Sequence, residues 1–261
     1  MKRRVFLGAP AILLRGQSRI EKKGREIVDA ALATLGGETF LTMKDRRETG
    51  RAYSFYNTRM SGFARAKITT RYLMAPKAGD LNQRERQSYG RKEKDIDVAY
   101  TLYLETGKAW DVTYRGAKEM EADLYARYKE STLHNVLYLL RMRLKEPGLI
   151  IEHRGTDVVD YQPVEIVDFT DSENRVITVN FHQSTKLPVK QKWMRRNAAK
   201  VQDEEITIFD KFRDVGGMKW PYVIQRQRNG DKQFEMFSEK VEINVGLTDE
   251  WFSLPANVEM L

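Results

Sequence analysis

The chain has 261 residues, 41% hydrophobic and 31% charged, a balance that suits a folded domain with a sizeable core. It contains no cysteine, which excludes disulfides and thiolate metal sites. Its three histidines, His134, His153 and His182, stand too far apart for histidine-rich zinc spacing, and no run of Asp, Asn and Gly has the EF-hand pattern.

Net charge is +8, of which Lys2, Arg3, Arg4 and Arg15 contribute four, with no acid before residue 19. The remaining excess is small, which argues for a solubilising charge rather than a nucleic-acid partner. Residues 1–18, "MKRRVFLGAPAILLRGQS", place this basic cluster ahead of an apolar run from Val5 to Leu14. A basic stretch followed by an apolar run of that length has the form of an export signal, and it is too short to span a bilayer as a helix. Arg3-Arg4-Val5-Phe6-Leu7 resembles a twin-arginine signal core, although no A-x-A cleavage site follows. The expectation is an export signal at 1–18 and one domain at 19–261, working in the periplasm.

Ser18 and Glu21 have capping-box spacing, and Ile27, Val28, Ala31, Leu32 and Leu35 then recur at helical intervals before Gly36-Gly37. An amphipathic helix therefore opens the domain. Strand-like segments follow at "GRAYSFYN" and "ARAKITTRYLM", with a charged stretch "RERQSYGRKEK" after them. "DVAYTLYLETGKAWDVTYRG" predicts a hairpin turning at Thr106-Gly107-Lys108, with Trp110, Val112 and Tyr114 on one face of its second strand.

From about Glu119 to Glu146 the pattern predicts one long helix, stopped by Pro147-Gly148. Its apolar positions include Leu137 and Leu140, and they spread wider than a one-sided helix needs. That breadth fits a helix laid across a concave sheet.

Strand patterns then run to the end. In "RVITVNFHQSTKLPVKQKW" Ile177, Val179 and Phe181 share a face, with Leu187, Val189 and Trp193 after the turn. Later segments place Trp220, Tyr222 and Ile224 together, and Gly216-Gly217 and Asn229-Gly230 mark tight turns. About ten or eleven antiparallel strands are expected, a number at which an open sheet curls or closes.

Chemistry is sparse. No G-x-S-x-G elbow, Walker A loop or G-x-G-x-x-G fingerprint occurs. His182, Ser184 and Asp171 lie around strand ends rather than in a recognisable triad pattern, and Glu204-Glu205 and Asp168/Asp171 are paired carboxylates only in the loosest sense. What stands out is apolar strand surface that a helix could cover to enclose a cavity.

The order of these elements resembles the family of periplasmic lipoprotein carriers, the outer-membrane lipoprotein-sorting proteins. The resemblance rests on the opening helix ending in "LATLGG", the hairpins and lid helix, then "VNFHQSTKLPVKQKW", "FDKFRDVGGMKWPYVI" and the closing "DEWFSLP". It implies an unclosed antiparallel half-barrel covered by helices, with an apolar interior that takes acyl chains and needs no catalytic group, metal or cofactor. Partners would be a lipid or acylated lipoprotein and an inner- or outer-membrane assembly partner, with the carrier itself a monomer.

The expected lining is Trp110, Val112, Tyr114, Ile177, Val179, Phe181, Trp193, Trp220 and Tyr222 from the sheet, with Leu137 and Leu140 from the lid. A one-residue register change would turn every strand residue of that set to the other face. The family also holds its lid with an arginine, whose counterpart no motif here marks. Two alternatives stay open: an envelope sensor or interaction module whose interior is filled by its own side chains, and an enzyme with an unfamiliar site.

Overall fold

A computed structural model describes residues 18–73, 80–197 and 199–261. The export signal expected at 1–18 therefore lies, apart from Ser18, outside the described residues. Helix α1 (Arg19–Leu35) starts as its spacing predicts, with the Ser18 hydroxyl accepting from the Glu21 N–H at 3.2 Å. It ends at Gly36, whose φ of +126° is open to glycine and strained for other residues. A short helix, α2 (Glu38–Thr42), follows.

One sheet contains every strand: β1 (Asp45–Tyr56), β2 (Arg59–Tyr72), β3 (Gln83–Gly90), β4 (Tyr100–Tyr103), β5 (Ala109–Thr113), β6 (Gly116–Glu119), β7 (Ile150–Val159), β8 (Gln162–Thr170), β9 (Val176–His182), β10 (Pro188–Arg196), β11 (Gln202–Val215), β12 (Met218–Arg228) and β13 (Asp231–Ile243). The spatial order is β6-β5-β4-β3-β2-β1-β13-β12-β11-β10-β9-β8-β7, and every pairing is antiparallel. The edges, β6 and β7, do not pair, so the half-barrel is unclosed, as expected. Among the described residues thirteen strands replace the ten or eleven counted from sequence; a four-residue strand such as β6 is too short to show a two-residue period.

The expected single helix from 119 to 146 is corrected. Its first residue, Glu119, ends β6; α3 (Ala122–Leu133) then stops at His134, and α4 (Val136–Tyr138) runs into a π turn (Leu139–Arg143). Asn135 makes the break. Its side-chain oxygen accepts the N–H groups of Leu137 (2.9 Å) and Tyr138 (3.3 Å), so it caps a new helix rather than continuing the old one.

Each edge is protected. At β7, α1 approaches so closely that a Cβ on Gly24 would sit 2.9 Å from the Ile151 carbonyl oxygen. At β6, Met260 bridges Ala117. Both devices cover ladder groups that would otherwise invite another strand.

Candidate functional site

Cross-strand register defines the inner face. Ile177 lies opposite Phe169 and Trp193, and Val179 lies opposite Val167 and Gln191. Val167, Phe169, Ile177 and Val179 pack with Ile27, Val28, Ala31 and Leu35 of α1 and with Val136–Leu140 and Met142 in the main core. The lid segment is tied to the sheet by polar bonds as well. The Gln191 amide accepts from the Val136 N–H (2.7 Å) and donates to the His134 carbonyl (2.9 Å), while the Tyr138 hydroxyl accepts from the Asn82 N–H (2.7 Å).

Arg141 reaches from the π turn to the Met43 carbonyl, with Nε at 3.2 Å and Nη2 closer, and lies 4.8 Å over the Tyr72 ring. Burial lowers its pKa, so the charge is held at some cost against the sheet. No motif marked Arg141; only the fold brings it to the Met43 carbonyl, 98 positions away between α2 and β1.

The expected lining residues divide. Leu137, Leu140, Ile177, Val179, Phe181 and Trp220 are buried together in the main core, and Tyr222 packs half-buried against it. Trp193 is also buried, stacked on His134 with ring centroids 4.1 Å apart. Burial lowers the His134 pKa to about 4, and its Nδ1 bonds the Glu130 carbonyl at 2.7 Å, so the ring is a neutral core group.

Trp110, Val112 and Tyr114 are not brought to this face. On β5 their neighbour Ala109 is the residue in the main core, whereas Trp110 packs in a separate cluster with Leu102, Leu247 and Phe252. Val112 is buried, and Tyr114 is 78% exposed at the strand's end. The strand alternates as read, with the faces exchanged, because the C-terminal segment supplies an apolar cover on the outside of the sheet.

The residues considered for catalysis have other partners. Asp171 binds Arg175 (2.8 Å) and Arg143 (3.3 Å), and His182 Nδ1 accepts from the backbone of Ser184 and Thr185. Glu205 is shared by Arg195 and Arg228.

Beyond the helix cover, the same inner face continues across β12, β13, β1, β2 and β3, and its character changes. Arg46 pairs with Glu48, donates to Thr70 at 3.0 Å and lies 4.5 Å over the Trp220 ring; Ser238 also donates to Glu48. Glu85, 8% exposed, accepts from Thr70 (3.0 Å), Gln83 (3.4 Å) and Gln87 (2.6 Å). Tyr103 and Tyr128 stack at 3.6 Å beside this network. A second apolar cluster, Ala52, Ala66 and Met236 with Ile68 and Phe234, lies on this half. Sequence patterning missed it, since alanines in a strand carry little signal.

The described surface carries shallow depressions. One of about 90 Å³ lies between α1 and the β8–β9 end, lined by Ile27, Ala30 and Phe181 among others. Another, about 260 Å³, carries Arg154, Asp157, Lys190 and Lys192 on the outer face of β7–β10.

A curled, unclosed antiparallel sheet whose apolar inner face is covered by helices is the architecture of lipoprotein-sorting proteins. Comparison of the sequence with family models and with curated proteins finds no match. Comparison of the fold does. An outer membrane lipoprotein-sorting protein domain from Vibrio parahaemolyticus superposes with a TM-score of 0.58 at 11% identity, covering 89% of this chain and 97% of that one. A DUF1329 family protein from Desulfovibrio piger gives 0.59 at 12% identity (88% and 96% covered), and a LolA superfamily protein from Nitrosomonas europaea gives 0.53 at 8% (88% and 97%). At these identities the likeness is one of fold, and it extends over nearly the whole chain.

Proposed function

We propose that the protein is an exported, non-enzymatic carrier that binds lipid or lipoprotein acyl chains on its inner face and serves outer-membrane lipid or lipoprotein trafficking. The observation that carries this reading is the lid. A broad apolar face, including Phe169, Ile177, Val179, Phe181 and Trp220, is covered by a helix broken at Asn135 and fastened by a few side-chain bonds. Acyl burial is worth about 0.8 kcal/mol per CH₂ and needs area rather than directed groups, so displacing such a lid exposes a suitable surface. The fold it shares with lipoprotein-sorting proteins supports the same reading, and the basic-apolar N-terminus supports export.

One observation favours a second reading, an envelope interaction or sensor module: the main inner face is packed by the protein's own helices. Mass spectrometry of organic extracts from protein purified gently from its own envelope separates the two. The carrier reading expects phospholipid, fatty acid or acylated peptide at near-stoichiometric level. A clean extract, with no uptake of a fluorescent fatty acid, rejects it in favour of the module.

A further inference from the structure

On the side of the sheet away from the helices, the outer face of β7–β10 carries the depression of about 260 Å³. A row of cross-strand neighbours runs through it: Gly155, Ile166, Asn180 and Lys190. Each end of that row lies beside a bulge, between His153 and Gly155 on β7 and between Pro188 and Lys190 on β10. A bulge bends its strand locally, and two of them make room on a face that would otherwise be smooth. Gly155 adds to the room: its φ of +108° favours glycine, and a Cβ there would meet nothing within 4 Å.

The depression is lined by an amide without a partner. Asn180 is 7% exposed, and among the described residues nothing bonds its side chain. Buried polar groups as a rule find a protein partner, so a free amide at this place is available to a molecule that enters. The charged groups around it divide into held and free. Arg154 is held by Glu152 and Asp168, and Thr178 donates to Asp168 at 2.6 Å. Lys190, directly opposite Asn180, makes no ion pair among the described residues. Lys192, two residues on, reaches Glu204 only at 4.0 Å. On the far side, Asp157 accepts from the Val158 N–H and meets no cation among the described residues.

We propose that this depression binds a phosphate monoester, carried by a sugar or polyol or by a lipid headgroup. Lys190 and Lys192 leave one strand on the same face, about 7 Å apart at the backbone, and supply the two positive charges that a dianion requires. The Asn180 amide donates to a phosphate oxygen, and Asp157 accepts from hydroxyls of the remainder lying over Ile166 and Gly155. A carboxylate, with one charge, would leave an ammonium unmatched. The site lies on the face opposite the acyl-binding surface and does not depend on it.

The test is calorimetric titration of the full chain at about pH 8, where a phosphate monoester is doubly charged. Glucose 6-phosphate, glucose and inorganic phosphate are the soluble probes, and phosphatidylcholine vesicles with and without phosphatidic acid are the lipid ones. An ester is expected to bind about tenfold tighter than inorganic phosphate, and Lys190→Gln and Asn180→Leu are each expected to weaken it about tenfold. Asn180→Leu removes an unbonded amide, so its urea midpoint is expected to be unchanged or higher. Whichever probe, the sugar ester or the phosphatidic acid vesicle, loses binding in both variants identifies the source of the phosphate. Binding of neither, binding indifferent to both substitutions, or inorganic phosphate bound as tightly as the esters overturns the site. A lower midpoint in Asn180→Leu overturns the role of Asn180, since the amide would then serve the fold.

Discussion

The two halves of the sheet share one topology and solve burial in opposite ways. Across β7–β12 the inner face is apolar and α1 with the broken lid covers it. Across β1–β3 and β13 it carries a buried ion pair and a chain of hydrogen bonds among Thr70, Gln83, Glu85 and Gln87, between the main-core residues Tyr72 and Val241 and a small apolar patch at Ala52, Ala66 and Met236. Apolar area needs a cover that excludes water but has no directional demand. Buried charge needs fixed partners, so the second half is tied by directed bonds, strand to strand and, through Gln83 to the Tyr128 hydroxyl of α3 (3.1 Å), to a helix. The covered half is held by apolar packing against α1 and the lid, and the polar half by directed bonds.

That contrast can be broken from either side. The largest effect is expected from Phe181→Ala, which leaves a hole in the covered half and costs about 3–5 kcal/mol in urea unfolding. An engineered acyl ligand filling the hole would recover part of the loss.

In the polar half, Arg46→Ala strands the Glu48 carboxylate, which is 1% exposed, and is expected to cost about 3 kcal/mol or more. The paired replacement Arg46→Met with Glu48→Leu is expected to cost far less than the single change. A double-mutant cycle in which the two costs simply add would show that the pair is not what holds this half.

His134 gives the covered half a pH signature. Its folded pKa, about 4, lies below the ordinary histidine value near 6.5, so the unfolded chain binds the proton more readily between those values. Stability is therefore unaffected above pH 6.5 and falls as pH drops toward 4, by about 3 kcal/mol at most. Denaturation midpoints across that range check it, and His134→Gln is expected to flatten the curve. A profile unchanged by this substitution would mean another group is responsible.

The smallest effect sharpens the comparison most. Arg141→Met removes the bonds to the Met43 carbonyl, at a cost of about 1–2 kcal/mol. Amide exchange in 136–143 is expected to speed up about tenfold while β1 and β2 stay protected. Uniform acceleration throughout the sheet would mean that the lid does not open as a separate unit.

Local rules were legible in the residues themselves. Ser18 and Glu21 cap α1 because the bond spans three residues, and Ile177, Val179 and Phe181 share a buried face because strand alternation is local. Asn229-Gly230 turns with both φ values positive, as that pair favours. The half-barrel itself followed from strand number and from a family resemblance carried by motifs, and the fold bears it out.

What only the tertiary structure decided was which face each strand turns inward and who meets whom. The β5 alternation was visible, but Ala109 rather than Trp110 faces the main core, because Leu247 and Phe252 return more than a hundred residues later to cover the outer side. The break at Asn135 competes with a helical pattern on near-equal local terms, and the sheet's Gln191, bonding both sides of it, tips the balance. Arg141 and Glu85 carry no pattern at all, since a lone charge in a strand or helix has the same local signature whether solvated or turned inward. Local sequence sets periods and caps through bonds a few residues long, while the face each strand turns inward depends on contacts the whole sheet must make at once.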